Sequence, residues 1–360
     1  MITTSHPIRV LVVDDTVVYR KIVTDVLAAL PGVTVVGSAH NGTAAIQKIG
    51  LLKPDLVTLD IEMPEKNGLE VLEYIRENAP GTGAIMLSTL TREGGAMTMK
   101  ALELGAFDFI PKPQSGTVAE NRGKIADAIR PMLMAFRRGN QISRLTRHAP
   151  HPEKSAVPPL PASLAKSRSE IVAIGISTGG PNALARMLPM LPKEMGVPIV
   201  IVQHMPPMFT QSLANSLDAK CNITVREAKQ GEPLVSNTAF IAPGGKQMKI
   251  VAGADGKSRI LKITDDPPEN SCKPSADYLF RSVAHHYVGR ATGVIMTGMG
   301  SDGTKGLQLM KQNGATIIAQ NEATCVVFGM PKEPIETGLA DVVLPLDQIA
   351  AMIVKTVRAG

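Results

Sequence analysis

The chain has 360 residues, 44% of them hydrophobic, which is enough for two domains with separate cores. Its three cysteines, Cys221, Cys272 and Cys325, are scattered and form no C-x-x-C pair, which argues against a disulfide framework and against a zinc motif. The net charge of +6 thickens chiefly between Arg130 and Arg168, where no stacking aromatics accompany it, so a solvated segment fits better than a nucleic-acid surface.

No secretory leader opens the chain and no apolar run is long enough to span a bilayer, so a soluble cytoplasmic protein without membrane insertion is expected. Aromatics are 3% with no Trp, which leaves the cores to Val, Ile, Leu, Met and Ala, as in parallel α/β sheets. Ile8–Val13 reads as a strand ending in Asp14-Asp15, and residues 55–59 as another ending in Asp60. Residues 84–87 end at Ser88, and residues 107–110 run into Pro111-Lys112-Pro113. Helical patterns fall at about 17–30, 43–52, 69–78, 96–104 and 119–138, giving βα repeated five times. In an open parallel sheet the residues just past the strand ends share one edge, so Asp14, Asp15, Asp60, Ser88 and Lys112 are expected to converge. Crowded carboxylates repel one another unless a cation sits among them, and a hard ion such as Mg²⁺ fits. Lys112 and Ser88 are then expected to meet an incoming phosphoryl group.

This half resembles the response-regulator receiver domain, a flavodoxin-like (βα)5 fold phosphorylated on an aspartate by a histidine kinase. The resemblance implies Asp60 as phosphoacceptor, Asp14 and Asp15 with Asp60 around Mg²⁺, Ser88 and Lys112 as phosphate partners, and Phe109 as the switch aromatic. Met63-Pro64 after Asp60, and Lys112-Pro113, also match.

From Gly139 periodicity fades into an Arg-rich and then Pro-rich stretch, read as a linker over residues 140–168 between a domain at 1–139 and another at 169–360. His148 and His151 are read there as exposed linker residues. The α/β rhythm resumes with strands expected at 171–174, 197–202, 224–227, 239–241, 293–296, 315–319 and 342–343, and an antiparallel pair at 248–251 and 260–263. Gly175-Ile-Ser-Thr-Gly179 follows the first of these and opens a helical pattern. It matches G-x-S-x-G, in which a sharp strand-to-helix turn exposes a serine hydroxyl, although a plain βα turn with a capping serine fits the same residues. His204 follows the second strand and Asp302 the fifth, so a serine, a base and an orienting carboxylate can meet at one sheet edge. Their order, Ser then His then Asp, differs from that of α/β-hydrolases, so a different doubly wound fold is expected. His285-His286 are read as surface residues and Met187, Met190 and Met195 as core fill.

Ile174-Gly-Ile-Ser-Thr-Gly-Gly180, Gln203-His-Met-Pro206, Ile241-Ala-Pro-Gly244, Lys273-Pro-Ser275 and Thr297-Gly-Met-Gly-Ser-Asp-Gly303 resemble the catalytic domain of chemotaxis protein-glutamate methylesterases. The resemblance implies Ser177 as nucleophile, His204 as general base, Asp302 as its orienting acid, the Met299 amide as an oxyanion donor and Thr178 as a supporting hydroxyl. It also implies a monomeric enzyme acting on methylated chemoreceptor cytoplasmic domains, with no cofactor for the ester chemistry, and a receiver that restrains it until phosphorylated. Glutamine deamidation at the same site stays open. Lys273 stands where the family pattern has Arg. A dinucleotide-binding reading fails because Ser177 takes the second glycine position of G-x-G-x-x-G and no acid ends the next strand. A helical DNA-binding output would not be Gly-rich α/β.

Overall fold

The computed structural model describes residues 6–146 and 168–358, with side chains through 137 in the first span. The positions read as linker, with His148 and His151, lie outside the described residues apart from the backbone of the final helical turns before 146 and residue 168. The chain divides into two compact units, 1–145 and 146–360.

The first unit alternates strand and helix: β1 (Ile8–Val13), α1 (Val17–Ala28), β2 (Val33–Ala39), α2 (Gly42–Leu52), β3 (Leu56–Asp60), α3 (Gly68–Asn78), β4 (Gly83–Ser88), α4 (Arg92–Glu103), β5 (Asp108–Pro111) and α5 (Val118–Thr146). Its sheet has the order β2-β1-β3-β4-β5, all parallel, the flavodoxin-like arrangement expected. Val10, Val12, Leu56, Ile85 and Leu87 fill one side against α1 and α5, with Ile129 and Phe136 from α5 closing it. Two departures from the periodicity have local causes. Strand β2 has no clear apolar signal because it is an edge strand, half-buried along most of its length. Helix α5 continues past Gly139, whose lack of a side chain costs a helix only about 1 kcal/mol.

The second unit comprises β6 (Ile171–Ile176), α6 (Gly180–Met187), β7 (Ile199–Gln203), α7 (Phe209–Asp218), β8 (Thr224–Glu227), β9 (Thr238–Ile241), β10 (Gln247–Ala252), β11 (Arg259–Thr264), α8 (Ala276–His286), β12 (Ala291–Ile295), α9 (Thr304–Gln312), β13 (Thr316–Gln320), α10 (Lys332–Glu336), β14 (Val342–Leu344) and α11 (Leu346–Arg358). Seven strands form one parallel sheet, β14-β13-β12-β6-β7-β9-β8, and β10 and β11 pair as the expected antiparallel hairpin. The chain winds from β6 outward through β7, then returns to β12 on the other side, so the topological switch lies between β6 and β12. That is where open α/β sheets bind ligands. Strands β6, β7, β12 and β13 are buried at every residue, as the apolar runs demand. Phe280 of α8 sits in the core with Val200, Phe240, Ile250 and Leu261, which ties the hairpin to the sheet. Met187 and Met195 are buried as expected, but Met190 is 52% exposed, because it ends a single 3-10 turn that leaves the surface of the core. His285 is exposed and His286 half-buried. Among the described residues no helix is long and apolar enough to cross a membrane.

Candidate active site and phosphoacceptor site

The second unit's site begins with the pairing of its central strands. Ile176 of β6 pairs with Gln203 of β7 and the His204 amide donates to the Ile176 carbonyl at 3.1 Å, so Ser177 and His204 leave the sheet as neighbours. The Ser177 amide donates to the Thr297 carbonyl at 2.9 Å, which brings in the loop after β12. The turn into α6 closes through the Gly180 amide on the Ser177 carbonyl at 2.7 Å. Gly179 turns there with φ +74°, and a side chain on it would run into Val326 at 2.5 Å. The strand-turn-helix context that G-x-S-x-G requires is therefore present.

His204 and Asp302 are joined: Nε2 lies 2.8 Å from Asp302 Oδ2. The carboxylate is further held by the amides of Ala276 at 2.6 Å and Asp277 at 3.2 Å, the Ser275 hydroxyl at 2.8 Å and the Asn270 side-chain amide at 3.1 Å. These donors cluster at the N-terminus of α8, which Ser275 caps, so the helix end faces a negative charge. Burial penalises the Asp302 carboxylate, yet the bonds from His204, Ser275 and Ala276 hold it down at about 2. Burial likewise opposes charge on His204, but the hydrogen bond to Asp302, with Cys272 beside the ring, raises it to about 9. The pair thus rests as imidazolium and carboxylate at neutral pH.

Ser177 differs from the sequence expectation in one respect. Its hydroxyl makes no hydrogen bond among the described residues, and the other ring nitrogen of His204, Nδ1, faces Cys272 Sγ at 3.8 Å. The ring is drawn to the carboxylate by a charge-assisted bond, whereas a neutral hydroxyl offers it less. Catalytic hydrogen bonds are often loose before substrate binds, and the two residues already stand on adjoining strand ends.

The loop 297–303 lies over this junction. A side chain on Gly298 would come within 2.7 Å of Ser177 Cβ and 2.4 Å of Met330 Sδ, so only glycine allows the close approach. Met299 is 51% exposed and its backbone amide donates to nothing among the described residues, as an oxyanion donor requires. Thr178 contributes its carbonyl, which accepts from the Thr297 hydroxyl at 3.0 Å, while its own hydroxyl makes no bond among the described residues. Asn270, Cys272, Ser275 and Asp277 are neighbours of His204 or Asp302 that no sequence signal singled out as site residues. Only the N-cap pattern Ser275-x-Asp277 before an apolar helix hinted at the anion-holding end.

In the first unit, adjacent strands β1 and β3 carry Asp14 and Asp60 to the same edge, both buried. The Lys112 ammonium lies 2.8 Å from Asp14 Oδ2 and 2.7 Å from Asp60 Oδ2, over the Tyr19 ring at 5.1 Å. Burial, partly offset by Lys112 and reinforced by Asp14, pushes the Asp60 carboxyl up to about 6. Oxygens of Asp14, Asp15 and Asp60 lie within 4.8 Å of one another, an all-oxygen set suited to a hard cation. Ser88 ends β4 fully buried, with its hydroxyl accepting from Thr98 Oγ1 at 2.7 Å and directed at the Gly94 carbonyl at 3.2 Å. It is engaged with α4 and makes no bond to the acids among the described residues. Phe109 is buried on β5.

Comparisons with known proteins match both units. A family model described as CheB methylesterase matches residues 172–353, and one described as response regulator receiver domain matches residues 10–121. A protein-glutamate methylesterase/protein-glutamine glutaminase of Desulfotalea psychrophila is 55% identical over 359 residues, covering 98% of this chain and 99% of its own. One of that name from Bacillus subtilis is 43% identical, covering 98% and 99%. The crystal structure of the Thermotoga maritima CheB methylesterase catalytic domain aligns at 43% identity with a TM-score of 0.51, over 52% of this chain and 98% of its own. The match to these relatives runs along nearly their full length, and the chain belongs to the CheB methylesterase family, with a response-regulator receiver domain at its N-terminal end.

Proposed function

We propose that the chain hydrolyses glutamate methyl esters on chemoreceptor cytoplasmic domains by Ser-His-Asp acyl transfer, and that phosphorylation of Asp60 governs the rate. The observation that carries the chemistry is the junction of β6 and β7, where Ser177 adjoins a His204 already hydrogen-bonded to Asp302 at 2.8 Å. In the reaction, Ser177 Oγ attacks the ester carbonyl carbon while His204, once neutral, takes the hydroxyl proton. Negative charge then develops on the carbonyl oxygen, and the Met299 amide is the donor nearest that role. Collapse expels methoxide, which His204 protonates to methanol. Water, giving its proton to His204, attacks the acyl-enzyme, and Ser177 leaves with that proton as the glutamate carboxylate forms. Asp302 fixes the ring and balances the imidazolium throughout.

The same carbonyl chemistry on a glutamine would expel ammonia. This second activity is favoured by the relatives' names, which pair methylesterase with protein-glutamine glutaminase. In the receiver, a histidine kinase would supply the phosphoryl group to Asp60. Asp14, Asp15 and Asp60 would hold Mg²⁺, which supplies positive charge for the phosphoryl oxygens when bound. Lys112 would follow with its ammonium, and Ser88 would exchange its α4 partners for a phosphoryl oxygen. The reading is of a cytoplasmic monomer.

Ser177→Ala tests the chemistry on methylated receptor membranes. Methanol release is expected to fall on the order of 10⁴-fold or more, with the far-ultraviolet spectrum unchanged. Near-normal turnover by that variant overturns the mechanism.

A further inference from the structure

Cys272 has no part in the acyl transfer, yet its sulfur meets the face of the imidazole that Asp302 leaves free. Sγ lies 3.8 Å from His204 Nδ1 while Nε2 lies 2.8 Å from Asp302 Oδ2. One ligand atom from each of His204, Cys272 and Asp302 lies within 4.8 Å of the others, and Cys272 is half-buried, so the cluster is open to solvent on one side. Zinc binds thiolate, imidazole and carboxylate at about 2.0–2.3 Å, which sets neighbouring tetrahedral ligands about 3.3–3.6 Å apart. To reach that spacing the closest pair, at 2.8 Å, must open by about half an ångström and the widest, within 4.8 Å, must close by at most about 1.5 Å. Softness matters as well: a sulfur, a nitrogen and an oxygen together select a borderline ion over Mg²⁺ or Ca²⁺. Asp302 comes with its outer partners in place, since Ser275, Asn270 and the Ala276 amide hold the carboxylate.

We propose that His204, Cys272 and Asp302 form an inhibitory site for a borderline divalent metal, Zn²⁺ in the first instance, with water as fourth ligand. Binding breaks the Cys272 S–H bond and displaces the ring proton shared with Asp302. Both protons go to solvent, and no electrons are transferred. With the ion on that nitrogen and a proton on the other, the ring has no lone pair left to accept the Ser177 proton, so the esterase is silenced. This last consequence rests on His204 acting as base, but the binding itself does not.

The test uses the reduced, metal-stripped full-length chain with Co²⁺ as a spectroscopic probe and Zn²⁺ as the inhibitor, both in excess Mg²⁺ to occupy the receiver's acids. Wild type is expected to develop a sulfur-to-cobalt charge-transfer band that Zn²⁺ displaces, measured without substrate. Cys272→Ser and Cys272→Ala are expected to lose the band, and each is expected to need at least tenfold more Zn²⁺ to halve its own metal-free rate of methanol release. Chelator is expected to restore the wild-type rate. A wild type without the band, a band that survives in both variants, or variants as zinc-sensitive as the wild type overturns the site. An inactive chain that still shows the Cys272-dependent band would instead fault the acyl-transfer reading and leave the metal site standing.

Discussion

The His204–Asp302 pair poses a constraint on the chemistry that no motif predicts. An imidazole held at about 9 is protonated at neutral pH, and a protonated ring cannot accept the Ser177 proton. The sign follows directly: as pH rises toward 9 the neutral fraction grows, so kcat/KM is expected to climb through the neutral range and level off only near pH 9. A pH–rate profile of methanol release checks this, and a plateau reached below pH 7 would mean that His204 is not held by Asp302 in the working enzyme. The reason the ring sits so high is local. Asp302 is buried at a helix end with five hydrogen-bond donors around it, so its charge is fixed and its attraction for the imidazolium is weakly screened. That Ser177, His204 and Asp302 meet at one sheet edge was legible from their strand-end positions. Their orientations were not, because Cys272 and Asn270 reach the ring and the carboxylate only through the turn before α8.

At the scale of elements, the loop after β12 decides whether Ser177 faces a usable oxyanion donor. Its fit depends on Gly298, packed between Ser177 and Met330, and on the segment around Val326 and Phe328 that pairs beside it. The Val327 amide donates to Thr297 Oγ1 at 3.0 Å, which pins the second loop to the first. Gly298→Ala is expected to push the loop off Ser177 and lower kcat on the order of 10²-fold, the usual cost of an ångström at a reacting centre. Steady-state kinetics alongside thermal unfolding separates the two effects. A variant with kcat within twofold of wild type would remove the loop from the reaction. The glycines of this loop were visible in the sequence, but the segment that packs against them was not. It follows β13, more than twenty residues downstream, and carries no periodicity of its own.

For the whole molecule, two units with separate cores allow each to be tested alone. If the unphosphorylated receiver restrains the esterase, a fragment from Ser169 to Gly360 is expected to release methanol ten- to hundredfold faster than the untreated chain, a differential of roughly 1.4–2.8 kcal/mol. A small-molecule phosphodonor with Mg²⁺ is expected to bring the full chain toward the fragment's rate, and Asp60→Asn to abolish that response. Equal rates for the fragment and the untreated chain, with no effect of the donor, would refute restraint by the receiver. The sequence by itself determined both sheets' strands, apart from the edge strand β2, and which candidate residues stand at their ends, because buried parallel strands are apolar runs and the polar residues begin where those runs stop. Tertiary structure alone decided the rest: which nitrogen of His204 meets Asp302, the resting partners of Ser88, and the approach of Cys272 to the site. Spacing along the chain excluded a zinc motif around the cysteines, but ligand sets are made in space. A capped helix and a strand register bring one ligand atom each of residues 204, 272 and 302 within 4.8 Å of the others, although nothing in their separation along the chain records it.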